Sequence, residues 1–276
     1  MTWPLAVSTL GMPGALIGEV IDVAASAGCV ALELRAGEGQ LAHVGMSSAE
    51  RAELRGCLDE AGLGVLAVCS YVKLCAAGDD DAVVDDITEH VRLAADLGAG
   101  GVRLFPGAEN DAGAVAEERG RRRLEAAVPT AADSGVRLLV ETHDSHRTGE
   151  DVARLVAPLV QDVAGDHPRY IGAIWDIVHS WAAGESPEAS AASLDGLLAY
   201  VQVKDAVLAD GRPEPVLPGT GHVPLGEITG VLDRRRYAGV LSLEWEKAWH
   251  PDLPEARDAL AAVRDWLAAT ASAGPG

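Results

Sequence analysis

Gly135-Val-Arg-Leu-Leu-Val-Glu-Thr-His143 is a turn glycine, a short apolar run, then a carboxylate and an imidazole where the run stops. The apolar residues read as a buried strand. Glu141 and His143 stand at its carboxyl end, where a parallel α/β sheet opens to ligand. The same design recurs downstream. Ile171-Gly-Ala-Ile-Trp-Asp176 ends in an acid, with His179 three residues on; Leu198-Ala-Tyr-Val-Gln-Val-Lys-Asp205 ends in Gln202, Lys204 and Asp205; Gly239-Val-Leu-Ser-Leu-Glu-Trp-Glu246 ends in two acids. One polar strand end means little, but four in series predict one site.

Working outward, earlier strands are expected at Leu5–Thr9, Cys29–Arg35, Val65–Ser70 and Val102–Phe105. By first apolar residue the eight strands begin near 5, 30, 65, 102, 136, 171, 198 and 240. Most intervals are about 35 residues, the length of one strand, one helix and two loops. Helices are expected over 15–27, from Ser47 or Ser48 to Ala61, over Val83–Leu97, Ala112–Ser134, Asp151–Val163, Pro187–Leu197, Glu227–Arg236 and Leu253–Ala269. Strict alternation at this spacing predicts an α/β chain folded as a single (β/α)8 barrel over residues 1–276, with a disordered tail at 271–276. An open doubly wound sheet would more often carry Gly-x-Gly-x-x-Gly after its first strand, and Gly11-Met-Pro-Gly14 is not that loop.

Composition narrows the functional classes. Hydrophobic residues make up 48% of the 276, yet Phe, Trp and Tyr only 4%, so the core must be aliphatic. With 42 acidic against 22 basic residues the formal charge is −20, which disfavours nucleic acid and anionic membranes as partners. The cysteines Cys29, Cys57, Cys69 and Cys75 form no Cys-x-x-Cys pair and read as small buried hydrophobes in a reducing cytosol. No apolar run approaches the roughly 18 residues of a membrane span. A cytoplasmic protein is expected. The basic run Arg119, Arg121, Arg122 and Arg123 reads as a solvated helix face.

In a barrel, Glu141, Asp176, Gln202 and Glu244 would converge from four consecutive staves. Three carboxylates and an amide oxygen suit one hard or borderline divalent ion, Mn²⁺, Mg²⁺ or Co²⁺. Zinc is less favoured, because no cysteine and no obvious pair of imidazoles joins the set, although His179 leaves it open. His179 and His143 are expected beside substrate. Lys73, Lys204 and Glu246 are candidates for substrate binding, and Trp249 and His250 for the pocket wall.

Glu141-Thr-His143, Asp176-Ile-Val-His179, Val203-Lys-Asp205 and Ser242-Leu-Glu-Trp-Glu-Lys247 together resemble the xylose isomerase-like TIM barrel family of sugar isomerases and epimerases. Pro218-Gly-Thr-Gly221 with Val223-Pro-Leu-Gly226 resembles its loop between strands seven and eight. The resemblance implies that Glu141, Asp176, Gln202 and Glu244 bind the metal. It also implies that Glu141 and Glu244 exchange protons with the carbon beside the carbonyl, through a metal-stabilised cis-enediolate. Manganese is the metal expected, and His179 is expected to hydrogen-bond a substrate oxygen. Gln202 departs from the histidine of many epimerases and matches hydroxypyruvate isomerase-like members. The implied activity is isomerisation or epimerisation of a small sugar, ketose or hydroxy-keto acid, with homo-oligomers common among relatives.

Two alternatives share the barrel: a metal-dependent lyase (a dehydratase or C-glycoside-cleaving enzyme), and a non-catalytic sugar-binding barrel. The family also resembles endonuclease IV, but 8 histidines and a charge of −20 argue against a multi-zinc DNA site.

Overall fold

A computed structural model describes residues 3–108, 113–161 and 167–273. Eight parallel strands close into a barrel: β1 (Leu5–Ser8), β2 (Ala31–Arg35), β3 (Gly64–Lys73), β4 (Gly101–Phe105), β5 (Arg137–Glu141), β6 (Ile171–Asp176), β7 (Leu198–Val203) and, after a hairpin, β10 (Leu241–Leu243). Around the barrel the order is β1, β10, β7, β6, β5, β4, β3, β2, closed by the pairing of β1 with β2. All eight expected strands are present, and the fold is a (β/α)8 TIM barrel.

The connecting helices are α1 (Ile17–Ser26), α2 (Ser48–Glu60), α3 (Asp80–Leu97), α4 (Ala114–Ser134), α5 (Gly149–Gln161), α6 (Ile177–Ala182), α7 (Pro187–Ser193), α8 (Leu225–Arg234) and α9 (Ala256–Ala273). Ser47 starts α2 by a capping box, taking the Glu50 amide while Glu50 takes the Ser47 amide. Gly98 and Gly135 end α3 and α4 at φ of 67° and 68°, the left-handed conformation that glycine adopts without steric cost. The expected starts and ends at 112, 162–163 and 274–276 fall outside the described residues.

Two elements were not expected. The short helix α6 follows β6 directly, because the Asp176 carboxylate caps it, Oδ1 accepting from the amides of Val178 (2.8 Å) and His179 (3.2 Å). The antiparallel hairpin of β8 (Asp205–Ala209) and β9 (Arg212–Val216) turns at Asp210-Gly211, both at positive φ, the dipeptide that favours such turns.

The core is double. Between strands and helices lies a large aliphatic shell that includes Leu32, Val68, Leu104, Leu138 and Val201. Inside the barrel, alternate residues of the same strands form a smaller cluster of Ala67, Cys69, Leu139, Ile174 and Tyr200. Above that cluster the interior turns polar, and there the site sits. Cys29, Cys69 and Cys75 are buried thiols, and no helix among the described residues is long and apolar enough to cross a membrane.

The basic run of α4 is a solvated face only in part: Arg122 is exposed and pairs with Asp80 at 2.9 Å, but other arginines of the run turn inward. Arg123 is fully buried, its guanidinium donating to the carbonyls of Leu74 (2.8 Å), Ala76 (2.7 Å) and Gly78 (3.1 Å) and to Asp80 (2.8 Å). Arg119 donates to the Cys75 carbonyl (2.7 Å). These arginines satisfy the open carbonyls of the loop after β3, a need that helical spacing alone does not reveal.

Candidate active site at the barrel mouth

Glu141, at the end of β5, is completely buried. Asp176 ends β6, Gln202 lies on β7 and Glu244 follows β10, and each is nearly or fully buried. Glu141, Asp176 and Glu244 each present an oxygen within 4.8 Å of the others. The structure thus brings together the four residues expected from four staves.

Two buried cations hold this cluster. Arg103 of β4 lies with Nη1 3.3 Å from Glu141 Oε2 and 3.4 Å from Glu244 Oε1, while Nη2 donates to the Ser70 carbonyl at 2.9 Å. Lys204 Nζ is 2.7 Å from Asp176 Oδ2, 2.7 Å from Glu244 Oε2 and 2.5 Å from Glu246 Oε1. The two glutamates consequently differ. Burial pushes the Glu141 carboxyl up to about 8 despite Arg103. Glu244 is equally buried, but Lys204 and Arg103 together bring it down to about 2. Burial would also lower Lys204, yet Asp176, Glu244 and Glu246 hold it well above the usual lysine range.

Beneath the carboxylates lies Glu33 of β2, a residue that sequence reading missed. It is fully buried and accepts from Tyr200 Oη (2.7 Å), Gln202 Nε2 (3.0 Å), Cys69 Sγ (3.2 Å) and the Ser242 hydroxyl. Burial raises its pKa, with Glu244 adding to the effect. Gln202 Nε2 also donates to Glu244 at 3.2 Å. The amide nitrogen is engaged by two acids, and Oε1 is buried with no hydrogen-bond partner.

Toward solvent, a row of flat side chains lines one side of the mouth. Tyr71 and Phe105 have ring centroids 5.9 Å apart, Phe105 and His143 4.3 Å, and His143 and His179 4.3 Å. Arg103 lies 4.0 Å from the Phe105 centroid. His143 pairs with Asp144 at 2.9 Å; burial alone would lower its pKa, but Asp144 and Glu141 carry it above the usual imidazole range. His179 is the reverse case, held well below that range by burial and by Lys204.

Of the remaining expected residues, Glu246 meets Lys204, and His250 stands 3.8 Å from Glu246. Trp249 is exposed and stacks on Arg35. Lys73 ends β3 on the exposed rim, with Gly107 leaving room for its stem, and is not drawn into the carboxylate cluster. Asp205 does not face the site. It holds the loop before α8, accepting from the amides of Gly219 (2.9 Å), Gly221 (2.9 Å) and Val223 (3.2 Å). A Cβ on Gly221 would stand 2.2 Å from Asp205 Oδ1, so only glycine fits there.

The donor set fits a divalent cation. Glu141 Oε1, Gln202 Oε1 and His179 Nε2 are buried without a hydrogen-bond partner, a costly state, while Glu141 Oε2 and Asp176 Oδ2 face the cations Arg103 (3.3 Å) and Lys204 (2.7 Å). The objection to zinc loses one of its grounds, since Glu141, His143 and His179 also present ligand atoms within 4.8 Å of one another.

No curated protein sequence matches the chain. Solved structures similar to it include the IolI protein with a bound zinc atom (16% identity, 98% of each chain covered, TM-score 0.76). The probable 3-DHS dehydratase AsbF from Bacillus anthracis is also similar (17%, 95% of this chain and 98% of that one, 0.74). So is 3-keto-D-glucoside 4-epimerase YcjR from E. coli (16%, 97% and 100%, 0.72). The sequence profile of the xylose isomerase-like TIM barrel matches residues 21–269, and to that family the chain belongs.

Proposed function

We propose that this protein is a divalent-metal-dependent isomerase or epimerase of a small polyhydroxy carbonyl compound. The observation that carries the reading is the pair Glu141 and Glu244, set on either side of one Arg103 nitrogen and within 4.8 Å of Asp176. Two carboxyls so placed can act on one substrate from two sides, one as base and one as acid.

Glu244, held ionised by Lys204 and Arg103, takes the proton from the carbon beside the carbonyl. Glu141, on the other side of the same Arg103 nitrogen, exchanges the second proton, at the neighbouring carbon or on the opposite face. When bound, a divalent ion held by Glu141, Asp176, Gln202 and Glu244 supplies the Lewis acidity that makes such a C–H proton labile. His179, a neutral imidazole with Nε2 free of hydrogen bonds, receives or donates a hydrogen bond at a substrate oxygen. Lys204 faces negative charge as it develops and keeps Glu246 in place. Manganese is our first choice of metal, and a small carbohydrate or keto acid the partner.

The test is NMR of ketoses and hydroxy-keto acids in D₂O with the Mn²⁺-loaded protein. Deuterium should enter the carbon next to the carbonyl, with an isomer or epimer accumulating. The likeness to a dehydratase supports one second reading, since β-elimination begins with the same proton abstraction. Loss of water with no isomer formed would select it. A protein that binds metal yet exchanges no proton in any of these compounds would leave a sugar-binding barrel.

A further inference from the structure

Arg35 ends β2 two residues beyond the buried Glu33, so its side chain leaves the strand on the same, barrel-facing side and nearer the mouth. Its Nε donates to the Tyr71 hydroxyl. Its Cζ lies 4.4 Å from the Trp249 ring centroid and 5.3 Å from that of Tyr71. The guanidinium is therefore held in place by two aromatic rings while its two Nη groups remain available. Among the described residues no carboxylate pairs with it, in a chain with 42 acidic residues and 22 basic ones. The rings that hold it are themselves open to solvent, Trp249 by 57% and Tyr71 by 41%. A wall of exposed aromatics around an unneutralised guanidinium has no evident structural purpose.

Its position relative to the glutamates gives it one. Tyr71 also lies 5.5 Å from Arg103 Cζ, so one ring separates the rim guanidinium from the buried one that touches Glu141 and Glu244. Resting on the proton-transfer reading above, we propose that Arg35, framed by Tyr71 and Trp249, is a carboxylate-binding subsite. The substrate is then a sugar acid or hydroxy-keto acid, its carboxylate on Arg35 and its reacting carbons beneath, between the glutamates. A planar fork with two open Nη groups matches a carboxylate two-to-two. Phosphate would call for further cations or a cradle of backbone amides, and no such group is in contact with Arg35 among the described residues. Arg103 and Lys204 are buried and already face carboxylates of the cluster, Glu141 and Glu244 for Arg103, and Asp176, Glu244 and Glu246 for Lys204, whereas no carboxylate among the described residues faces Arg35.

The experiment is calorimetric titration of the Mn²⁺-loaded enzyme with D-glucuronate, D-glucose and D-glucose 6-phosphate. The acid and the sugar differ only in a carboxylate for a hydroxymethyl group. The wild type should bind glucuronate about tenfold or more tighter than glucose, the scale of one charge-assisted bidentate pair. Arg35→Gln should abolish that preference and Arg35→Lys retain part of it. Trp249→Leu, which alters the subsite from another loop, should reduce it. Circular dichroism melts establish that each variant is folded. Equal binding of acid and sugar by the wild type, a preference that survives in Arg35→Gln, or tighter binding of the phosphate than of the uronate would each overturn the proposal. These outcomes are read as relative affinities, whether or not a compound is turned over, so they are separate from proton exchange, on which the isomerase reading stands or falls.

Discussion

On one side of the barrel mouth, β5, β6, β7 and the segment after β10 present Glu141, Asp176, Gln202, Lys204, Glu244 and Glu246. On the other, β2, β3 and β4 present Glu33, Arg35, Tyr71, Arg103 and Phe105. The first side holds buried oxygens without hydrogen-bond partners, at Glu141 and Gln202, together with its own cation Lys204; the second adds groups that constrain the cluster from across the mouth. Arg103 reaches across to Glu141 and Glu244, and Glu33 reaches across to Gln202. The difference teaches that a carboxylate cluster of this density needs a counter-structure. Three acids within 4.8 Å of one another repel, and in a site from which water is excluded the repulsion is only weakly screened.

The comparison breaks most severely at the first side. Glu244→Gln should slow C–H exchange in D₂O by about 10²–10⁴-fold, the usual worth of a positioned acid or base. A fall of less than about fivefold would move the base elsewhere. On the second side, Arg103→Met should lower unfolding stability by about 3–5 kcal/mol, because it leaves buried carboxylates without their partner. Adding Glu141→Gln to that variant should restore part of the loss, which chemical denaturation of the two variants will show. If the double variant is no more stable than the single one, Arg103 is held by packing on Phe105 rather than by charge.

Glu33→Gln probes the link between the sides. With the Gln202 amide held by Glu244 but no longer by Glu33, Mn²⁺ affinity should fall about 10–100-fold, the effect seen when a group that orients a ligand is lost. Unchanged affinity would confine Glu33 to the packing of Tyr200 and Ser242. The smallest effect is on pH dependence. Glu141 has a folded pKa of about 8, above its ordinary carboxylate value of 4.5. Its contribution to stability is therefore fully present below about pH 4.5 and is lost as the pH rises through 8. Metal-free protein should melt lower at pH 8.5 than at pH 5.5, and saturating Mn²⁺ should shrink or reverse that difference. An apo melting temperature that rises over this interval would contradict the assignment.

The two sides were not equally legible in the sequence. Glu141, Asp176 and Glu244 close apolar runs, where a change of polarity marks a strand end. Glu33 and Arg103 instead interrupt apolar runs, in Ala31-Leu-Glu-Leu-Arg35 and Gly101-Val-Arg-Leu-Phe105. In a barrel strand both faces are buried, so a charge in mid-strand must point into the interior and meet an opposite charge or donors there. That signal was present and was not used. The Asp210-Gly211 turn was equally readable as a hairpin. Arg123 was not: nothing in a helical repeat announces that a distant loop has carbonyls left open. The eight strands were legible because each carries its own apolar run, most of them after a glycine stop, and that local information is enough to fix the order of units in a repeating fold.

The account rests on the four staves holding one metal ion. Elemental analysis of the purified protein and of Glu244→Gln, each before and after incubation with Mn²⁺ and desalting, tests this directly. About one divalent ion per chain is predicted for the wild type, and a clearly lower content for the variant. A wild-type protein that carries no ion and retains none of the added Mn²⁺ would contradict the account.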